Sequence, residues 1–361
     1  MNSAKNKSVA LLISGGVDSA VACHELVQKG YTPHLYYIAI GPEQNFEGYD
    51  CKMEEDVDLC KLIANKYNLP FEVIPLHKEY WDGVMGYHVT SLKAGRTPNP
   101  DLLCNQLIKF GAFEEKVGYK YDFTASGHYA SILEEGGKRW LATAKDKNKD
   151  QTYFLAQLSD LQLSKIMFPI GGYTKSEIRD IARKEGFANA ERKDSQGICF
   201  IARNHYRDFV GDMLGELPGD FVEVQTGEKL GEHKGHWFFT IGQRKGLGLA
   251  GGPWFVVKKD IEKNIIYISK GYEPVEVFSN EVFVSELNFP TKHDMLQDGV
   301  EVSFKIRHTP TFTHGTIRMK DKGILIESDQ KLHGVAPGQF AVIFDNDECR
   351  VLASGEIQLY I

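Results

Sequence analysis

The hexapeptide Ser14-Gly15-Gly16-Val17-Asp18-Ser19 follows an apolar stretch, Val9–Ile13, and precedes a segment with helical spacing. No other feature constrains the chain as strongly. A strand that enters a helix through two glycines leaves the helix's first N–H groups and its positive dipole end facing outward. Glycines let the backbone approach an anion closely, and Ser14 and Ser19 add hydroxyl donors. The loop lacks the second glycine and the Lys-Ser/Thr pair of a Walker A motif. Asp18 repels phosphate unless a cation lies between, which predicts Mg²⁺ bridging to a nucleotide. A capped helix after a glycine turn uses the same residue types, but the whole hexapeptide at a strand–helix junction favours a phosphate loop.

The surrounding pattern alternates strand and helix. Pro33–Ile40, Phe71–Pro75 and Phe123–Ser126 read as strands, while Ala20–Lys29, Met53–Tyr67, Leu102–Tyr119 and Lys175–Glu185 read as helices, with Gly30 ending the first. This predicts an α/β domain built on a doubly wound parallel sheet. After about residue 205 the chain changes to short β-branched and aromatic runs, including Trp237–Ile241, Phe255–Lys259, Val300–Ile306 and Gln339–Phe344. These predict two small all-β domains, the last a β-barrel, with a boundary near 275–280. The expected domains are 1–205, 206–277 and 278–361.

At 361 residues the chain is too long for one ordinary core. It has no apolar run long enough for a transmembrane helix, and its N-terminal apolar stretch reads as a core strand, so a cytoplasmic protein is expected. The net charge of −7 argues against a nucleic-acid binder, although binding depends on a local basic face. Lys138–Lys149 offers one; a solvated loop is its plainer reading.

None of the six cysteines forms a C-x-x-C pair, and their spacing is unlike a secreted disulfide framework. Two have context. In Asn99-Pro100-Asp101-Leu102-Leu103-Cys104-Asn105, Asp101 can cap a helix with Cys104 in its first turn, where thiolate is favoured. In Asp194-Ser195-Gln196-Gly197-Ile198-Cys199, the cysteine sits among apolar residues and from spacing alone reads as core. Gly246-Leu247-Gly248-Leu249-Ala250-Gly251 matches G-x-G-x-x-G, but no helix follows, so it reads as a hairpin loop rather than a dinucleotide site.

The hexapeptide is similar to the loop of the ATP-pyrophosphatase (PP-loop) family, whose members cleave ATP between the α and β phosphates. With the segments at 99–105, Gly127-His128-Tyr129, Asp150–Leu155, Asp194–Ile201 and Gly242–Leu247, the chain resembles the MnmA family of tRNA-specific 2-thiouridylases, from about residue 9 to Gln339. The resemblance implies an adenine nucleotide alpha hydrolase-like catalytic domain, a central adaptor and a tRNA-contacting barrel. It implies ATP and Mg²⁺ as cofactors, and as partners the anticodon region of tRNA and a sulfur-relay persulfide donor. It assigns ATP to Ser14, Gly15, Gly16, Val17, Asp18, Ser19 and Gly127. Ile38 joins them, carried over where the family usually has methionine. Cys199 would carry the persulfide and Cys104 would pair with it, ending as a disulfide, with Asp101 as general acid/base. Asn99, Pro100 and Asp101 would hold the target base. His128, Lys149, Asp150, Gln151, Arg307, His308 and Gln339 would contact tRNA.

Other readings are a 4-thiouridine synthetase or amidotransferase of the same ATP family, a non-catalytic RNA-binding protein, and an iron–sulfur site at Cys104 and Cys199. The first dispenses with an essential cysteine pair, and the second dispenses with ATP cleavage.

Overall fold

The computed structural model describes residues 7–41, 53–194, 206–271, 274–275 and 278–358. Cys199 lies outside them. Strands β1 (Val9–Leu12), β2 (His34–Ala39), β3 (Phe71–Pro75), β4 (Phe123–Ser126) and β7 (Ile166–Met167) form one parallel sheet in the order β3-β2-β1-β4-β7. Successive residues of a strand point to opposite faces. Val9 and Leu11 accordingly enter one core, with buried residues of helices α1 (Val17–Gln28) and α2 (Met53–Tyr67). Ala10 and Leu12 enter another, with Tyr80, Phe110 and Phe113. Both faces are covered, as expected of a doubly wound sheet. Helix α1 ends where Gly30 takes φ +86, its N–H bonded to Val27 and that of Tyr31 to Leu26.

Between β4 and β7 lies a hairpin that the sequence reading did not anticipate, β5 (Ser131–Glu135) and β6 (Lys138–Ala142). Its turn is Gly136-Gly137, with φ +60 and +72, the geometry a two-residue hairpin turn demands. The first part of the basic run at 138–149 is therefore strand.

The expected helix Leu102–Tyr119 is four pieces. A short α segment Pro100–Leu103 widens into an i→i+5 bonded helix over Cys104–Ala112, then returns through Phe113–Lys116 to a 3₁₀ turn. The Gln162 side-chain amide donates to the Gln106 and Phe110 carbonyls at 2.7 and 2.8 Å. Gly111 adds room, since a Cβ there would lie 2.7 Å from the Gln106 oxygen. Asp101 does not cap this helix. Asn99 holds the capping position and Pro100 the first helical one, which moves Cys104 beyond the first turn.

The second half is all β. Strands β8 (Gly219–Glu223), β9 (Lys229–His233), β10 (Trp254–Asp260) and β11 (Ile265–Lys270) form a four-stranded sheet. Strands β12 (Phe278–Asn288), β13 (Glu301–Lys305), β14 (Thr313–Lys320), β15 (Gly323–His333), β16 (Phe340–Phe344) and β17 (Val351–Gln358) close into a barrel. Trp237–Ile241, expected as strand, contains only the end of a 3₁₀ turn, His236–Phe238. Trp237 and Phe238 pack against the catalytic-domain core instead of pairing, a case of burial overriding β propensity. Gly246–Gly251 is loop, with positive φ at all three glycines. Barrel residues Phe340, Val342, Phe344 and Val351 share a core with Leu102, Tyr153 and Leu155, so barrel and sheet are packed as one body.

Candidate active site

Chain order along the sheet reverses between β1 and β4: β1 leads outward to β2 and β3, and the chain then returns to the other side of β1. Open α/β sheets bind ligands at that point, beyond the strands' carboxyl ends. Ser14–Ser19 leaves β1 there and Gly127-His128 leaves β4. Gly16 stands at the cap of α1 with extended backbone, and Gly15 has φ +72. The Ser19 hydroxyl donates to the Gly16 carbonyl at 3.0 Å and accepts from the Ser14 N–H at 3.2 Å, stapling the loop to itself. The Asn189 amide and the Arg192 guanidinium hold the Gly15 carbonyl at 2.8 and 3.3 Å, and Arg192 also pairs with Asp56 at 2.6 Å. A Cβ on Gly127 would lie 2.8 Å from the Ser19 nitrogen, so only glycine lets the β4 loop approach α1 this closely. Val17 begins α1 and is buried, whereas Ile38 lies on neighbouring β2.

Asp18 faces a cation already present in the fold. The Lys175 ammonium donates to both its carboxylate oxygens at 2.8 Å, and the Tyr129 hydroxyl donates to one of them at 2.8 Å. Lys175 also reaches Asp194 at 2.7 Å, which accepts from Lys149 at 2.7 Å and Arg179 at 3.2 Å. Burial pulls the Asp194 carboxyl upward, but the Lys149 and Lys175 hydrogen bonds outweigh it and hold it below the usual range. The glycine cradle and an outward N-terminus fit a nucleotide's phosphates, and Asp18 fits a hard cation only if Lys175 yields it.

The second constellation starts one residue along from Gly127. His128 is buried, with Nε2 3.4 Å from the Lys109 ammonium and Nδ1 2.8 Å from the Ser126 hydroxyl. An ammonium can only donate, so Nε2 accepts and the ring proton sits on Nδ1, donating to Ser126. Burial, then Lys109, pushes the His128 pKa well below its ordinary value, so the ring is neutral. Asp101 is desolvated, which raises its carboxyl pKa; Lys109 and His308 pull the other way without cancelling the rise. Cys104 is buried one turn further along. The Asn105 amide donates to the Phe154 carbonyl at 2.9 Å, tying this helix to Asp150–Leu155.

The barrel and the central domain hold the Asn99 loop. Thr97 N–H donates to the Pro337 carbonyl at 2.8 Å and the Gln339 amide to the Thr97 carbonyl at 2.9 Å. Thr97 also meets Thr240 of the central domain. A Cβ on Gly338, at φ +90, would lie 2.8 Å from the Thr97 nitrogen. The Asn99 side chain bonds to Tyr153, whose hydroxyl donates to the Phe340 carbonyl at 3.0 Å.

Among the residues expected to touch tRNA, several have partners within the chain. Asp150 is buried and accepts from the Ala144 N–H at 2.7 Å. Gln151 accepts from the Tyr129 N–H at 2.9 Å. Arg307 donates to the Gly334 carbonyl at 2.8 Å and to that of His333. His308 is exposed, lies 2.8 Å from the Asp150 carbonyl and has its ring centroid 4.6 Å from that of Phe154, tilted by 36°. The structure thus brings Asn99, Pro100, Asp101, Cys104, His128, Asp150 and His308 to one place, adjacent to the phosphate loop.

The sequence reading gave no role to Lys109, Tyr129, Lys175, Asp194 or Arg192. One signal was available for Lys175. Thr174 and Glu177 form a capping box, which fixes the helix start, so a lysine at the first helical position sits against the dipole.

Three family models match in succession: "tRNA methyl transferase HUP domain" over residues 7–203, "tRNA methyl transferase PRC-barrel domain" over 207–270 and "Aminomethyltransferase beta-barrel domain" over 279–357. The chain is 52% identical to the tRNA-specific 2-thiouridylase MnmA 1 of Bacteroides thetaiotaomicron, over 97% of this chain and 99% of that protein. It is 51% identical to the tRNA-specific 2-thiouridylase MnmA of Porphyromonas gingivalis, over 97% and 98%. A solved structure, "predicted subunit of tRNA methyltransferase" from Methanocaldococcus jannaschii, aligns with a TM-score of 0.32 and 19% identity, over 49% of this chain and 76% of that one.

Proposed function

Because the chain belongs to the family of tRNA-specific 2-thiouridylases, we propose that it uses ATP to activate a tRNA uridine and replaces the activated oxygen with sulfur. It is a sulfurtransferase acting on tRNA. The finer reading is the wobble uridine of tRNAs for lysine, glutamate and glutamine, engaged through the anticodon region in the cytoplasm. Among the described residues no helix is long and apolar enough to cross a membrane. One observation carries the reading: Gly127 abuts the phosphate loop while its neighbour His128 lines the Asp101–Cys104 constellation through Lys109. A group held at one is within reach of a group held at the other.

ATP, when bound, supplies the adenylyl group that makes the uracil O2 a leaving group, and Mg²⁺ neutralises its phosphates. Ser14–Ser19, Gly127 and the N-terminus of α1 would hold the phosphates, Ile38 would serve the adenine, and Asp18 would serve the cation. Asn99 and Pro100 hold the extruded base, whose unstacking costs a few kcal/mol. Asp101, whose carboxyl pKa burial raises, moves a proton at the base. Cys199 receives a persulfide from a relay protein. The Cys104 thiolate attacks the inner sulfur, forming the Cys104–Cys199 disulfide and releasing hydrosulfide, which bonds to carbon 2 as AMP departs. His128, Lys149, Asp150, Gln151, Arg307, His308 and Gln339 shape the surface that receives the tRNA.

Nucleoside mass spectrometry of tRNA from cells lacking the protein tests the outcome; undiminished 2-thiouridine refutes it. Pyrophosphate release should require tRNA and ATP together. Cys199→Ser should abolish thiolation while leaving that release intact, whereas thiolation at full rate from a persulfide donor would refute the cysteine assignment.

A further inference from the structure

Lys175 stands where ordinary electrostatics discourages a cation. It is the first residue of the helix Lys175–Lys184, at the positive end of that helix's dipole. Its ammonium points at the phosphate loop, beside the N-terminus of α1, a second positive end. Its side chain is only 13% exposed, so the ammonium has little solvent to stabilise it. Two carboxylates compensate, Asp18 and Asp194, each within 2.8 Å. The backbone is clamped: the Lys175 N–H donates to Asp146 at 2.9 Å, and the Thr174–Glu177 capping box fixes the turn. Asp194 has Lys149 and Arg179 to fall back on, and Asp18 keeps the Tyr129 hydroxyl. Either carboxylate can therefore release Lys175 without being left bare.

We propose that Lys175 is an exchangeable counter-ion. Before nucleotide arrives it occupies Asp18 in place of a divalent cation. When nucleotide enters with its metal, Asp18 passes to the metal and the ammonium turns to the phosphates that will leave as pyrophosphate. The arrangement does two things with one side chain. It keeps a metal off Asp18 until phosphate accompanies it, and it supplies the leaving group with a positive charge. The proposal rests on the ATP reading above and adds a phosphate-binding residue to it.

The test uses full-length protein without tRNA, so that binding is read rather than turnover. Mn²⁺ binding is followed by electron paramagnetic resonance, and ATP binding by calorimetry with Mg²⁺. Wild type should bind ATP and take up Mn²⁺ tightly only with ATP present. Lys175→Gln should bind Mn²⁺ without nucleotide about 10- to 100-fold more tightly than wild type, and should bind ATP with Mg²⁺ weaker by a similar factor. Lys175→Arg should stay near wild type in both. Adding Asp18→Asn to the Gln variant should remove the nucleotide-free Mn²⁺ site; if the site persists, the metal lies elsewhere and the proposal falls. It also falls if Lys175→Gln leaves either affinity unchanged. Wild type that binds no ATP refutes the ATP reading itself. Melting curves check folding. Lys175→Met replaces the Gln variant if that unfolds, and unfolding of both marks Lys175 as structural and overturns the proposal.

Discussion

At the residue scale, Asp101 and its neighbours make the sharpest predictions. A carboxyl whose folded pKa lies above its unfolded value binds more protons folded than unfolded across the window between them, so its contribution to stability falls as pH rises through that window. Burial raises Asp101 in this way. Asp101→Asn should therefore melt higher than wild type at pH 7–8, with the gain vanishing at pH 4 or below. Thermal melts across pH check this, and thiolation should be lost throughout. Lys109 holds the Asp101 pKa down from what burial alone would impose. Lys109→Met should move the ionisation of Asp101 to higher pH, read as an upward shift of the limb of the pH–rate profile that Asp101 sets. Much of this scale was legible in the sequence: Asn99–Cys104 and Gly127-His128 stood out as segments. The Lys175–Asp18 interaction did not, because an interaction across 157 residues leaves no local mark on the chain.

At the element scale, close backbone approach governs the site. Gly127→Ala would place a Cβ 2.8 Å from the Ser19 nitrogen, where only backbone can yield. ATP affinity should drop by about tenfold or more, with a small change in melting temperature, measured by calorimetry. The strand–loop–helix junction of β1 and α1 was legible because propensity, glycine placement and apolar spacing agree there. Leu102–Tyr119 was not, because the widened turn at Cys104–Ala112 is held by Gln162, a residue far along the chain. Such widened turns cluster at functional sites, and this one begins on Cys104. Trp237–Ile241 misled for a related reason: its aromatic residues suit a strand, but Trp237 and Phe238 pack against a core shared with the parallel-sheet domain.

At the scale of the whole molecule, the change from α/β to all-β was evident from composition, and the closed barrel followed from the strand count. The common core between barrel and sheet was not evident, since Phe344 and Leu102 read as interiors of separate domains. Phe344→Ala should cost about 3–5 kcal/mol and lower a single melting transition rather than one of two, as calorimetry would record. Binding of tRNA should weaken steeply with salt despite the net charge of −7, as a titration at several ionic strengths would show.

The Asn99 loop rests on Pro337 and Gln339 of the barrel and on Thr240 of the central domain, with Gly338 pressed against it. The loop's shape is thus written in three stretches of the gene. A chimaera that borrows a barrel from a distant enzyme would inherit that barrel's idea of where the loop belongs, and a recombination breakpoint near residue 278 would scramble a site some 180 residues upstream.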